Sequence, residues 1–343
     1  MSVENYFRIA RREIPPRFHI TSRIPSGMDS AGAEILPIDD LIKKHDELVK
    51  PFYLSPSPDI PDYFPRNEIS LLELKRIIAR KMLKACTICE NRCGIDRTDG
   101  KRGKCRVGDK SFYASEFIHL GEEPEIVPSH TVFFTGCTFE CIYCQNWDIA
   151  HGSLASRDGG YPADETLIKR IMGKEKSVRN LNLVGGNPDQ HLPNILGPLI
   201  DLAKKSYSRP IVWNSNLYMT PDAISLLTGV ADLHLADFKY GSNECGEELS
   251  LVKGYRDVIT RNLLAVKPVS DILIRHLVLP GHVECCTKEI CSWVSENLPD
   301  AIFNLMFQYH PEYRAHENPT INRFLSGEEK EKALRLASSA GLL

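Results

Sequence analysis

Cys137, Cys141 and Cys144 stand at the spacing C-x3-C-x2-C in the stretch Gly136-Cys137-Thr138-Phe139-Glu140-Cys141-Ile142-Tyr143-Cys144-Gln145-Asn146-Trp147. Thiolates this close can converge from one loop on one metal centre, and soft sulfur ligands select zinc, copper(I) or iron–sulfur clusters. The number of ligands is informative. A closed structural zinc site takes four, whereas a four-iron cluster held by three thiolates leaves one iron free for a further ligand and so for chemistry. The apolar run Thr131-Val132-Phe133-Phe134 leads into the loop and reads as a buried strand. A redox-inert zinc loop is the competing reading.

The loop resembles the signature of the radical S-adenosylmethionine (radical SAM) superfamily, with Tyr143 at its aromatic position. The resemblance implies that Cys137, Cys141 and Cys144 bind a [4Fe-4S] cluster whose free iron chelates the methionine part of SAM. Reductive cleavage of SAM would then give a 5′-deoxyadenosyl radical for hydrogen abstraction. The resemblance also places Tyr143 among the residues around the cofactor.

A second set, Cys86, Cys89, Cys93 and Cys105, has the spacing C-x2-C-x3-C-x11-C, with a turn-rich segment over 96–104. Four thiolates fit a closed zinc site. They also fit a second iron–sulfur cluster able to transfer electrons, and spacing does not separate the two. Lys101, Arg102, Lys104 and Arg106 lie within or beside this knuckle. They motivate a non-enzyme alternative, a zinc-binding scaffold or nucleic-acid-binding module. Cys245, Cys285, Cys286 and Cys291 read as buried structural thiols.

These groups need a scaffold, and 343 residues can supply one large α/β domain or a barrel with an appendage. With 42% hydrophobic and 25% charged residues the composition is that of a globular protein. The net charge of −3 gives no global case for nucleic acid or an anionic membrane. No apolar run is long enough to span a membrane, and no secretory signal is evident. The expectation is a cytoplasmic protein. There, eleven cysteines argue for metal ligation over disulfides.

From residue 131 onward, apolar runs alternate with helical periodicity. Strands are expected at 131–135, 180–184, 210–213, 233–238, 271–279 and 302–308. Helices are expected at 163–174, 191–205, 220–230, 255–267, 287–297 and 327–340. Six such units predict parallel βα units with right-handed crossovers, too few for an eight-stranded barrel, and the resemblance to the radical SAM superfamily implies a partial (β/α)6 barrel. Upstream, 70–85 reads as a helix capped by Ser70, and 39–49 as another. Residues 1–70 read as an extended arm with one or two short helices. The polar stretch within 112–127 reads as an entrance wall to the site or a surface loop. The implied domains are an arm over 1–85, a four-cysteine segment over 86–127 and the barrel over 128–343.

Functional groups in such folds gather at the carboxyl ends of the strands. The second strand runs into Gly185-Gly186-Asn187. This resembles the family's Gly-Gly-Glu motif, whose groups contact the amino end of SAM, with Asn187 in place of the carboxylate and Asp189 nearby to compensate. Ser215 and Asn216 end the third strand and suit ribose hydroxyls or a turn. Asp237 and Lys239 alternate on the fourth and suit a zwitterionic amino acid or an internal salt bridge. Arg275, inside an apolar run, needs a partner or a ligand carboxylate.

Asp237-Phe238-Lys239, Arg275 within Ile-Arg-x-x-Val-x-Pro-Gly, and Tyr309-His310 resemble the pyruvate formate-lyase activating enzymes and their relatives. The similarity runs over about 86–315 and is closest to a subgroup with an upstream four-cysteine knuckle. It implies that Asp237, Lys239, Arg275 and His310 help hold SAM. It also implies a low-potential electron donor of flavodoxin or ferredoxin type, and activation of a glycyl-radical or other protein substrate. Radical modification of a small molecule is the alternative.

Overall fold

The computed structural model describes residues 3–156 and 159–343. Eight strands form one sheet: β1 (Phe112–His119), β2 (Ser129–Phe134), β3 (Tyr161–Pro162), β4 (Asn180–Gly185), β5 (Ile211–Ser215), β6 (Leu233–Asp237), β7 (Asp271–Leu277) and β8 (Ile302–Met306). Their order is β3-β1-β2-β4-β5-β6-β7-β8. The run β2-β4-β5-β6-β7-β8 is parallel throughout, and β1 and β3 extend it antiparallel at one edge. The sheet ends at β3 and β8, so it is an open, partly barrel-like α/β sheet.

The six parallel strands lie within two residues of the expected bounds. All five residues of β5 and the first four of β4, β6 and β7 are buried. That is why each reads as an unbroken apolar run. Helices Glu165–Lys174, Leu192–Lys204, Tyr255–Val266 and Gly327–Ser339 also stand where periodicity puts them. Two differ. Over 220–230 only Pro221–Ser225 is helical. The helix expected at 287–297 spans Glu289–Asn297 and is preceded by a π-helical turn, Val283–Lys288.

The stretch read as an entrance wall or a surface loop is a strand, β1, followed by a connection at the floor of the sheet. β1 runs antiparallel to β2, with His119 opposite Ser129. The β1–β2 connection therefore lies at the amino ends of the parallel strands, away from the cysteine loop.

The arm is more helical than expected, with Glu4–Ala10, Arg17–Thr21, Ser30–Ile35 and Ile38–Leu54. It closes the amino end of the barrel. Val3 and Tyr6 share a buried cluster with Ile126, Val212, Leu233, Leu235 and Leu273. Tyr6 N–H donates to Asp271 Oδ2 (2.7 Å), and Asn180 Nδ2 to the Tyr6 hydroxyl (2.8 Å). Arg17 N–H donates to Asp232 Oδ1 (3.0 Å), a carboxylate that burial pushes up to about 6 against the pull of Arg17. Helix Leu71–Lys81 carries the expected cap, with Ser70 and Glu73 forming a reciprocal capping box.

Candidate active site

The cysteine loop leaves β2 at Phe134 and crosses the carboxyl end of the sheet. Glycines let it sit there. Gly136 has φ +76°, and a Cβ on it would lie 2.4 Å from Cys105 O. A Cβ on Gly186 would lie 2.1 Å from Gly136 O, and one on Gly185 2.2 Å from the Phe134 backbone. The Gly185-Gly186 pair thus has a packing reason: the end of β4 rests on the end of β2, where Gly186 N–H donates to Phe134 O (2.8 Å). Glu140 and Ile142 N–H donate to Ser250 and Leu249 carbonyls at the end of helix Asn243–Ser250. Arg314 N–H, from the segment after β8, donates to Ile142 O.

Cys137 and Cys141 are buried and Cys144 is half-buried. Burial raises all three thiols, Cys144 to about 12. Unligated, they hold their protons at neutral pH, so metal binding must release them. Cys141 Sγ lies 2.9 Å from Ser250 Oγ, which also bonds the Tyr240 hydroxyl, and Tyr240 bonds the Tyr143 hydroxyl (2.7 Å). Tyr143 packs edge-on against Tyr309. Three soft donors on one buried loop, with glycine-made clearance behind it, fit the ligand set of a [4Fe-4S] cluster.

Residues from the neighbouring strand ends collect beside the loop. Asn216 Nδ2 lies 3.0 Å from Thr138 Oγ1 and 3.9 Å from Cys137 Sγ, and Asn187 Oδ1 accepts from Asn216 N–H (3.2 Å). The Ser215 hydroxyl accepts from Leu217 N–H within a turn (3.1 Å). Asp189 is fully buried and takes the Trp213 indole N–H (2.8 Å); burial pushes it up to about 6. Asp237 and Lys239 pair with each other at 2.9 Å. Burial works against the Lys239 ammonium, but Asp237, then Tyr143 and Cys141, hold it well above its ordinary value.

Two expected residues lie apart from this group. Arg275 is clamped by Glu123, through Nε (2.6 Å) and Nη2 (2.5 Å), with Glu122 at 3.5 Å. Asn182 also donates to Glu122 and Asn304 to Glu123. This polar floor of the barrel is built from the β1–β2 connection. His310 is exposed and faces Glu312 at 3.7 Å.

The four-cysteine knuckle packs directly against the cluster loop. Asn91 Nδ2 donates to Thr138 O (2.7 Å), and Cys105 O faces Gly136. Arg97 is completely buried within it, bonding Gly108 O and Gln190 O with Nη1 3.8 Å from Cys86 Sγ. Sequence reading missed Thr138, Tyr240 and Ser250, whose roles arise from contacts between distant loops. It also separated Cys245, Cys285 and Cys286, which the fold brings together with His282.

The chain is 42% identical over 351 residues to Uncharacterized protein MJ0674 of Methanocaldococcus jannaschii, covering 100% of this chain and 98% of that protein. Among solved structures, Streptococcus suis SuiB bound to S-adenosylmethionine aligns with a TM-score of 0.45 and 13% identity, over 59% of this chain and 44% of SuiB. The chain thus spans less than half the length of SuiB. HydG, a maturase of the [FeFe]-hydrogenase, aligns with a TM-score of 0.42 and 11% identity, over 90% of this chain and 63% of HydG. Among the described residues no helix is long and apolar enough to cross a membrane. The radical SAM superfamily model matches residues 131–294, which takes in the cysteine loop, most of β2 and the parallel strands β4 to β7: this stretch is a radical SAM superfamily domain.

Proposed function

We propose that this radical SAM enzyme binds a [4Fe-4S] cluster through Cys137, Cys141 and Cys144 and acts on a glycyl-radical or other protein substrate. The observation that carries the cluster assignment is the single buried loop that presents three thiols at the carboxyl end of β2, with one sulfur 2.9 Å from Ser250. A [4Fe-4S] cluster held by Cys137, Cys141 and Cys144 would supply the one-electron chemistry for reductive cleavage of SAM. The chain's own residues position and shield. Asn187, Ser215 and Asn216 offer short polar groups beside Cys137 for SAM, with Gly185 and Gly186 giving backbone clearance. Asp237 and Lys239 present both charges for the amino acid end, exchanging their mutual pair for the ligand. Tyr143 and Tyr309 wall the site. His310 reaches SAM only if its segment moves inward, and Arg275 acts from the barrel floor.

Cys86, Cys89, Cys93 and Cys105 hold a second metal in this proposal. Asn91 bonds Thr138 O and Cys105 O faces Gly136, which supports a metal beside the cysteine loop, suited to electron entry or to bracing. A low-potential donor of flavodoxin or ferredoxin type serves as reductant.

The protein-substrate reading rests on the motifs at Asp237, Lys239, Arg275 and Tyr309-His310. It is tested with deuterated extract of the source organism, split by molecular mass. Deuterium in 5′-deoxyadenosine from the macromolecular fraction supports it. Deuterium from the small-molecule fraction alone selects the alternative reaction class.

A further inference from the structure

We propose that Cys245, His282, Cys285 and Cys286 form a four-ligand site for one zinc ion, distinct from both cysteine sets above and independent of the radical SAM reading. Cys245 lies in helix Asn243–Ser250, after β6; the other three lie after β7, in and just before the π-helical turn. β6 and β7 are neighbours in the sheet, so their connections meet at the carboxyl end of the barrel.

The ligand atoms have the separations that one ion requires. Cys245 Sγ is 3.8 Å from Cys285 Sγ, and Cys285 Sγ is 3.9 Å from Cys286 Sγ. His282 Nδ1 is 3.7 Å from Cys245 Sγ and 3.4 Å from Cys285 Sγ. All four atoms lie within 4.8 Å of one another. Tetrahedral zinc, with bonds of about 2.3 Å to sulfur and 2.0 Å to nitrogen, separates its ligands by about 3.8 Å (S–S) and 3.5 Å (S–N). In an iron–sulfur cluster the four ligands are shared among two or four irons, and ligands of different irons stand further apart than the four atoms here, so the spacing selects a single ion. Three thiols and an imidazole are a zinc donor set.

The local backbone is shaped to this convergence. The π-helical turn carries two successive cysteines whose sulfurs both lie within reach of Cys245. Such turns recur at functional sites. Gly241 makes the approach possible: a Cβ there would lie 2.3 Å from Cys285 O and 2.9 Å from Cys286 Cα. Cys245, His282 and Cys286 are buried while Cys285 is exposed, leaving one side for metal entry. The filled site ties the β6 and β7 connections together. The far end of helix Asn243–Ser250 places Ser250 against Cys141, so the zinc braces the cluster loop from outside.

The test uses the full chain, purified without air, loaded with zinc and freed of loose metal. Zinc and iron are counted in the parent and in the Cys285→Ser, His282→Gln and Cys291→Ser variants. Cys285 is exposed, so its replacement leaves the packing intact. The expected result is a loss of about one zinc per chain in Cys285→Ser and in His282→Gln, whatever metal the knuckle holds, and none in Cys291→Ser. Cobalt(II) exchanged into the parent should show thiolate-to-cobalt charge-transfer bands that weaken in Cys285→Ser. Equal zinc content and equal cobalt spectra in all four proteins would overturn the site. So would a Cys245–Cys285 disulfide in the protein as isolated.

Discussion

Replacing Arg275 by alanine separates two accounts of that residue. The motif resemblance makes it a SAM ligand. The geometry makes it the counter-charge of a buried acidic floor, since its side chain and those of Glu122 and Glu123 are 15%, 7% and 6% exposed. Removing it would leave two carboxylates in the barrel with their amide partners Asn182 and Asn304 but no cation. Breaking a buried pair in this way costs about 3–5 kcal/mol. The pH dependence carries a signature. Burial opposes ionisation of Glu123, yet its bonds to Arg275 hold it below the usual carboxylate range. In the parent this contributes stability above the unfolded carboxyl pKa of about 4.3, lost as pH falls through the folded value. In the variant only Asn304 and a backbone N–H still oppose burial, so the pKa rises, adding a penalty at neutral pH that protonation relieves. The deficit of Arg275→Ala in urea unfolding should therefore be largest near pH 7.5 and shrink toward pH 4.5. Adding Glu123→Gln should recover part of it at pH 7.5. A variant as stable as the parent at pH 7.5, but with weakened SAM binding, would refute the buried-floor argument and return Arg275 to the cofactor site.

Other perturbations follow from the same contacts. Gly186→Ala would drive a methyl into Gly136 O and should cost about 1–3 kcal/mol in urea unfolding, with lower iron retention on reconstitution; full stability and iron content would contradict the packing role. Asp189 is raised to about 6 by burial, so its folded form binds a proton more tightly than the unfolded chain and its contribution falls as pH rises from 4 to 7. Asp189→Asn should remove that decline, shifting the difference from the parent by about 2–3 kcal/mol in the variant's favour between pH 4 and pH 8; a pH-independent difference would refute it. Ser250→Ala should keep its iron but make the cluster harder to reduce, because a hydrogen bond to a ligating sulfur favours the reduced state; an unchanged potential would remove Ser250 from the cluster environment. In a chain lacking Cys137, Cys141 and Cys144, residual iron would identify the knuckle as a second cluster, and zinc without iron as a structural site.

What could be read from the sequence was local. The strands β2 and β4 to β7 are runs largely buried on both faces, β8 is a short, mostly apolar run centred on buried Phe303, and the loop Cys137–Cys144 carries its spacing within eight residues. What was missed depends on partners distant in sequence. β1 mixes polar and apolar residues on both sides and is largely half-buried or exposed, so Phe112–His119 lacks the apolar run of its neighbours. Glu122 and Glu123 look like loop residues until the antiparallel turn carries them under Arg275. The arm's short helices place few apolar residues, such as Tyr6 and Ile9, on one face, too few to stand out among prolines. Cys245 meets Cys285 and Cys286 only because β6 and β7 are adjacent, and the π-helical turn that aims the pair has no simple sequence period. His282, the fourth member, is a single histidine after Pro280-Gly281 that spacing alone does not connect to any thiol.

The most direct test compares the parent with Cys144→Ala after anaerobic reconstitution, counting iron and sulfide and measuring 5′-deoxyadenosine formed from SAM with dithionite. The account predicts about four irons at the Cys137 loop and 5′-deoxyadenosine from the parent, with SAM cleavage abolished in Cys144→Ala. A Cys144→Ala protein that keeps its iron and still cleaves SAM, or a parent that holds zinc and leaves SAM intact, would contradict it.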